Sequence, residues 1–409
     1  MTVAERPRTI RIVNVRILRE GRIVSDPGTE IWIQDGKFID QYSRFWSSSK
    51  QDEYDADLVL DGKNMIAAPG YIDVQINGAF GVSFSDPDVT VSDCEVVGRG
   101  ILAHGVTGFV PTLVSSAAET YRKVLDKLHL YEGSVARGAS VLGLHLEGPF
   151  INLLQQGAHD GAWLKTPERG LASLFETYGH KLDQVRMITM APELPGAIDA
   201  IKELRTCYPD IRISIGHSNA TIEECRDAIF AGASFVTHMF NAMRSFHHRN
   251  PCVIGTLAPG TCRTPFYGLI CDGVHTHATA VAMAYHTHPD GVVLVTDAIS
   301  AAGGPRSPTR LGTRSVEVSD DQVVVSGTQK LAGSILRFDE GVRRFRRYTQ
   351  CTTVEALEAA SLHPARLLGL APRKGTLNIG SDADFIIVDD NLNVMKTFVA
   401  GELVWEKHS

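Results

Sequence analysis

APGYIDVQINGAFG, residues 68–81, marks the point where one kind of sequence gives way to another. Tyr71, Ile72, Val74 and Ile76 form an apolar run that meets Gln75, Asn77 and Gly78, the pattern of a strand running into a loop. Before it, residues 10–66 alternate and turn: IRIVNVRIL and IWIQDGKFID are short strand patterns punctuated by Gly-Arg and Asp-Gly signals. After YIDVQI (71–76) come GFVPTLV (108–114), VLGLHLEG (141–148), VRMITMAP (185–192), IRISIGH (211–217), FVTHMFN (235–241), FYGLICDG (266–273) and GVVLVTDA (291–298). Most of these eight runs lack alternation, as parallel strands buried on both faces do. Thr221-Ile-Glu-Glu224 carries a capping-box pattern opening a helix over 221–231, and 117–130 and 195–206 have helical spacing.

Eight strands with intervening helices predict an α/β fold, a (β/α)8 TIM barrel. The Gly- and Pro-containing stretch 303–330 predicts a β insertion after the eighth strand, with helices near 336–348 and 353–369. DADFIIVDDNLNVMKTFVAGELVWE returns to strand patterns in the style of the N-terminal segment. The expected organisation is a small β-sandwich domain formed from both chain ends, residues 1–67 and 371–409, around a barrel spanning 68–370. SSSKQDE (47–53) is expected to be a surface loop.

At 409 residues the chain exceeds one ordinary core but fits a barrel of ~250 residues plus a smaller domain. Hydrophobic and charged fractions of 44% and 21% are those of a soluble globular protein, and a net charge of -7 without a Lys/Arg block argues against nucleic acid as partner. Nowhere do ~18 apolar residues run unbroken, so no membrane span is expected. MTVAERPRTIRIVNVRIL lacks the apolar core of a signal peptide, and seven Cys without a CxxC pair fit reduced thiols. The cytoplasm is the expected compartment.

Barrel active sites are built at the C-terminal ends of the strands. There the third run offers Glu147, the fifth His217, the sixth His238, the seventh Asp272 with His275 beyond, and the eighth Asp297. One buried His or one strand-end Glu is usually a satisfied structural group; a set delivered to one rim by different strands is harder to explain that way. Gln75 and Asn77 on the first strand are amides, poor ligands for transition metals. Glu147, His217 and His238 instead supply three ligands and leave a fourth position for water, the set of a catalytic Zn2+ site. Asp297, after the apolar run VVLV, is placed to be a general base.

The motifs PGYIDVQING (69–78), GLHLEGPFIN (143–152), QGAH (156–159), SIGHSNA (214–220), THMFNAM (237–243), CDGVHTH (271–277), VTDAISAAG (295–303) and LAGS (331–334) stand in this order along the chain. With SLHPARLLGL and KGTLNIGSDADFIIVDD beyond them, the chain resembles the N-acetylglucosamine-6-phosphate deacetylase family of the amidohydrolase superfamily. HLEGPF and THMFNAM together are highly specific, whereas the C-terminal motif alone would mark only the superfamily. The resemblance implies a hydrolase that deacetylates a phosphorylated amino sugar. It makes Glu147, His217 and His238 the ligands of one divalent ion per subunit, Zn2+ in first place, with Fe2+, Co2+ and Mn2+ also accepted by such a set. It makes Asp297 the catalytic acid/base. In two-metal relatives the first strand's histidines hold the second ion, so Gln75 and Asn77 imply a one-metal site that they support.

The resemblance further implies substrate contacts from Ala158, His159, Asn241, Ala242, Arg249, Asp272, His275, Leu331, Ala332 and Gly333. Arg249, in the loop NAMRSFHHRNP, offers a planar fork suited to phosphate, and in the family this arginine comes from the partner subunit of a homodimer. Arg244, His247 and His248 have no matched role and are expected in solvent. Two other functions compete: an amidohydrolase of unphosphorylated substrates, which has no use for Arg249, and an inactive barrel serving as a scaffold, which has no use for the ligand triad together with Asp297.

Overall fold

The apolar runs become parallel strands because little in them needs water on either face. In the computed structural model, which describes residues 9–40, 56–260, 263–306 and 309–408, the barrel strands are β1 (Tyr71–Ile76), β2 (Val106–Val114), β3 (Leu144–Glu147), β4 (Val185–Met190), β5 (Arg212–Ile215), β6 (Ala233–Val236), β7 (Phe266–Ile270) and β8 (Val292–Val295). β1, β2, β3 and β8 are buried along their whole length. Neighbours pair in parallel in chain order from β1 round to β8. The stretch SSSKQDE lies outside the described residues.

The barrel closes where β8 returns to β1. A parallel bridge joins Ile76 to Ala298, the Asp297 N–H donates to the Gln75 carbonyl at 2.8 Å, and the Asn77 N–H donates to the Ala298 carbonyl at 2.7 Å. Asp73 stitches the same seam from inside. Its Oδ1 accepts the backbone N–H groups of Gln75 and Thr296, each at 3.3 Å, and its Oδ2 accepts the Thr296 hydroxyl at 2.5 Å. The seam thus sets Gln75, Asn77 and Asp297 side by side.

Helices α1 (Val91–Gly100), α2 (Ala118–Lys127), α3 (Leu171–Tyr178), α4 (Ala197–Cys207), α5 (Ile222–Ala231), α6 (Ala278–Thr287) and α7 (Phe338–Thr349) connect or follow the strands. The expected capping box opens α5: Thr221 Oγ1 accepts the Glu224 N–H and Glu224 Oε2 accepts the Thr221 N–H. The helical pattern over 353–369 is two helices, α8 (Thr353–Ala360) and α9 (Leu362–Leu368). The break falls at Ser361 because Pro364 has no N–H to give the Ala360 carbonyl one turn back. Between β8 and α7, strands Thr309–Leu311, Arg314–Val318 and Val323–Val325 form an antiparallel sheet. Its Leu311, Val316 and Val323 pack on Val114, Ala158 and Ile299 at the barrel rim.

The chain ends pair with each other. A six-stranded sheet runs Glu402–Glu406, Val394–Val399, Phe385–Val388, Ile66–Pro69, Arg16–Arg19 and Arg22–Val24, and faces a four-stranded sheet of Lys37–Ile39, Ile31–Gln34, Thr9–Val13 and Leu58–Asp61. Ile10, Ile12, Ile31 and Ile33 from one sheet meet Phe385 and Phe398 from the other, and the two rings stack at 4.3 Å. The Asp35-Gly36 hairpin has φ of 52° and 73°, positive at both central positions as a two-residue turn of this twist requires. Gly70 carries the chain from this sandwich into β1, and a Cβ there would lie 2.1–2.7 Å from the Thr107 side chain.

Burial pushes the Asp73 carboxyl up to about 7. A carboxyl raised in the folded state favours folding while protonated, and that contribution is lost as pH climbs from about 4 through about 7. With divalent ions chelated, the unfolding free energy from urea titrations should therefore carry a fall of about 3 kcal/mol from this group between about pH 5 and about pH 8. Asp73→Asn keeps the hydrogen-bonding shape and should flatten that fall; an identical pH slope in the variant would show that Asp73 titrates normally.

Candidate active site

His217, His238 and Asp297 each stand two residues beyond the end of their strand, not within it, and each has a left-handed backbone, with φ of 49°, 21° and 50°. Such φ values are uncommon outside glycine and persist only where the surroundings impose them. Here they bring side chains from β5, β6 and β8 to a carboxylate at the end of β3. Glu147 Oε1 lies 3.2 Å from His217 Nε2 and 3.1 Å from His238 Nε2, and the two nitrogens are 3.1 Å apart.

The His217 Nδ1–H donates to the Gln155 carbonyl at 2.9 Å, which leaves the Nε2 lone pair facing Glu147 and His238. An imidazole lone pair, a second imidazole nitrogen and a carboxylate oxygen crowded to 3.1–3.2 Å suit a shared cation. Ligands bound at ~2.0–2.2 Å in a tetrahedron are about 3.4 Å apart, close to these spacings, so the donor set fits one divalent ion. Burial pushes the Glu147 carboxyl up, but the two imidazoles outweigh it and hold it well below the ordinary range. Burial pushes His238 down, and the carboxylate of Glu147 reverses that to a net rise. A looser trio of Glu147, His159 and His217 has ligand atoms within 4.8 Å of one another. His159 is engaged elsewhere: its Nδ1 accepts the Ser115 N–H at 3.1 Å and lies 2.8 Å from Ser115 Oγ. The trio with His238 is the tighter site.

The two amides serve the carboxylates. Gln75 Nε2 donates to Glu147 Oε1 at 3.0 Å, and Asn77 Nδ2 donates to Asp297 Oδ1 at 2.7 Å. Burial, and then the charge of Glu147, push the Asp297 carboxyl up to about 6, with the Asn77 hydrogen bond pulling the other way. Burial pushes His159 down to about 3, so its ring is neutral. Because its Nδ1 accepts a backbone N–H, the His159 proton sits on Nε2, a donor. His275 Nδ1 is 2.6 Å from Asp272 Oδ2, while Asp272 Oδ1 accepts the Val274 and His275 N–H groups.

These groups share a cavity of about 360 Å³. Asn77, Glu147, Ala158, His159, His217, His238, Asn241, Ala242, His275, Asp297, Leu331 and Gly333 line it, whereas Gln75, Arg249, Asp272 and Ala332 do not. Gln75 lies beneath Glu147, Asp272 stands behind His275, and Ala332 is fully buried with its N–H on the Val323 carbonyl. Arg249 is exposed on its loop, its guanidinium 3.1 Å from His248 Nε2. His247 stacks on His248 at 4.5 Å, and both are exposed, as is Arg244. A larger cleft of about 820 Å³ lies between α7 and the insertion and contains none of Glu147, His217, His238 or Asp297. Size is therefore no guide to the chemistry here.

Several neighbours were not foreseen from sequence. Ser115 fixes His159, the Gln155 carbonyl fixes His217, and Leu153, Leu154, Leu311 and Lys330 line the cavity. Ser115 follows the second apolar run directly and Lys330 abuts LAGS, so position alone could have flagged both.

Residues 66–404 match the amidohydrolase family. Over 413 residues the chain is 44% identical to the N-acetylglucosamine-6-phosphate deacetylase of Danio rerio, with 99% of each covered. It is 45% identical to the Homo sapiens protein of that name, over 98% of this chain and 96% of the other. Among solved structures, a mutant of the Mycobacterium smegmatis N-acetyl-D-glucosamine-6-phosphate deacetylase in complex with N-acetyl-D-glucosamine-6-phosphate superposes with a TM-score of 0.79 at 27% identity. That match covers 97% of this chain and 99% of the other.

Elemental analysis of the purified protein should find about one divalent ion per chain, and His217→Ala or His238→Ala should abolish it. Two tightly held ions per chain would contradict the part given to Gln75 and Asn77. Full metal retention in either variant would remove that histidine from the ligand set.

Proposed function

Since the chain belongs to the amidohydrolase family, we infer that it hydrolyses the acetamide of N-acetyl-D-glucosamine 6-phosphate to D-glucosamine 6-phosphate and acetate. One observation carries this beyond the likeness: Glu147, His217 and His238 converge in the same cavity as a buried carboxyl, Asp297, raised towards neutrality. A scaffold would have no need of that combination.

Glu147, His217 and His238 would hold one divalent ion, Zn2+ in first place and Fe2+, Co2+ or Mn2+ as alternatives. When bound, it supplies Lewis acidity for the attacking water and the acetamide carbonyl. Asp297 moves the proton. With its carboxyl near neutrality it accepts the water's proton as attack begins, then returns it to the departing amine, which cannot leave as an anion. Asn77 holds Asp297 Oδ1, which leaves Oδ2 to take the proton, and Gln75 fixes Glu147. His159, neutral with its proton on Nε2, donates to a substrate oxygen.

In the same cavity, Asn241, Ala242 and His275 face the sugar phosphate, with Leu331 and Gly333 along the sugar. Asp272 acts through His275, and Ala332 through its neighbours. Arg249 stands outside its own cavity, and we assign it to the cavity of a second copy in a homodimer. Phe246 beside it is 58% exposed, and Leu153 and Leu154 at the cavity mouth are 62% and 77% exposed, apolar surface that a partner would cover. The catalytic unit is the barrel that begins at β1, with the sandwich built from both chain ends beside it. Seven Cys without a CxxC pair support a reducing cytoplasm as the compartment.

Acetate release from N-acetylglucosamine 6-phosphate, run beside the unphosphorylated sugar, tests the activity; no preference for the phosphorylated sugar would overturn it. Asp297→Asn should keep its metal while turnover falls at least roughly 10²–10⁴-fold, the range of general acid–base catalysis. Activity needs the ionised carboxylate, so kcat/KM should decline as pH falls through the Asp297 pKa, which a bound divalent cation would draw below its metal-free value of about 6, and Asn77→Ala, which removes a bond to that carboxylate, should shift the decline to higher pH. Mixing Arg249→Ala with Asp297→Asn protein under subunit exchange should restore activity, because one site of each mixed dimer then carries neither defect. No recovery on mixing would confine Arg249 to its own subunit.

A further inference from the structure

We propose that Lys330 binds the substrate's phosphate from the same subunit that performs the chemistry, so that each site draws cations from both chains; this rests on the deacetylase assignment above. A phosphate monoester brings between one and two negative charges into the cavity near neutral pH. The cavity already holds the carboxyl groups of Glu147 and Asp297. One divalent ion offsets those two, which leaves the phosphate charge to other groups. Among the described residues that line the cavity, Lys330 is the only lysine or arginine.

The position is built. The Lys330 carbonyl accepts the Val325 N–H at 2.8 Å, its own N–H donates to Thr328 Oγ1 at 3.1 Å, and Leu331 next to it bridges to Val324. The backbone is thus fixed to the last strand of the insertion while the residue itself is exposed. No carboxylate pairs with its ammonium among the described residues. The insertion sheet packs on Val114, Ala158 and Ile299 at the rim, so it carries Lys330 to the mouth as a fixed arm. A lysine is suited to this place: a compact point charge on a flexible stem can follow a phosphate without a planar match. The phosphate is remote from the reacting carbonyl, so the contact acts equally on bound substrate and transition state, and its loss belongs in KM.

Steady-state kinetics on the metal-loaded full chain test this, with Lys330→Ala and Lys330→Arg compared on the phosphorylated and unphosphorylated sugars, and inorganic phosphate as a competing probe. Lys330→Ala should raise KM for the phosphorylated sugar roughly 10-fold and weaken inhibition by inorganic phosphate in parallel. The preference for phosphorylated over unphosphorylated sugar should fall by the same factor, and Lys330→Arg should recover most of it. Equal losses on both sugars would show a structural role and overturn the proposal, and so would unchanged constants. If the unaltered protein shows no preference for the phosphorylated sugar, the deacetylase assignment fails first, independently of Lys330.

Discussion

Asp73 sits where the barrel closes on itself, and the active site depends on that closure. No full ladder joins β8 to β1; the join is one bridge, a few backbone hydrogen bonds and a buried carboxyl that gathers two N–H groups and a hydroxyl from both strands. Two residues beyond Asp73 stands Gln75, and directly after Thr296 comes Asp297, with Asn77 opposite. Had the last strand slipped by a residue, Asp297 would leave Asn77 and the side chains on that strand would change faces. The chemistry is therefore set by register at the weakest join of the sheet.

The amides of Gln75 and Asn77 show how one position in a fold can change trade. Each donates to a carboxylate that the proposed chemistry needs, one to Glu147 and one to Asp297. The left-handed backbone at His217, His238 and Asp297 belongs to the same arrangement. Three turns of this kind at three strand ends are tolerated because the neighbouring strands and their hydrogen bonds leave the chain no easier path.

Much of this was legible in the sequence, and the parts that were not share a cause. Unbroken apolar runs announce strands buried on both faces, and the Thr221–Glu224 capping box announces its helix, because both are local properties. The strand ends were read too long at His217, His238 and Asp297, since a run of apolar letters does not reveal a change of φ. The helical pattern over 353–369 hid a break that Pro364 could have disclosed. Asp272 and Ala332 belong to the right motifs but stand one layer back from the cavity, a distinction of tertiary placement. Ser115, the Gln155 carbonyl and Lys330 gain their importance only from what folds against them.

The sandwich built from both chain ends has a consequence for how the protein is made. Ile66–Pro69 pairs with Phe385–Val388, a partner more than three hundred residues away that leaves the ribosome long after it. Until then the edge of Ile66–Pro69 that Phe385–Val388 will cover, together with Ile10, Ile12, Ile31 and Ile33, lacks its final cover. An early-born strand edge waiting on a late-born one invites pairing with other nascent chains. Completion of the sandwich is thus a checkpoint of biogenesis, and a chain cut short before Phe385 would carry a nearly whole barrel with an open, adhesive flank.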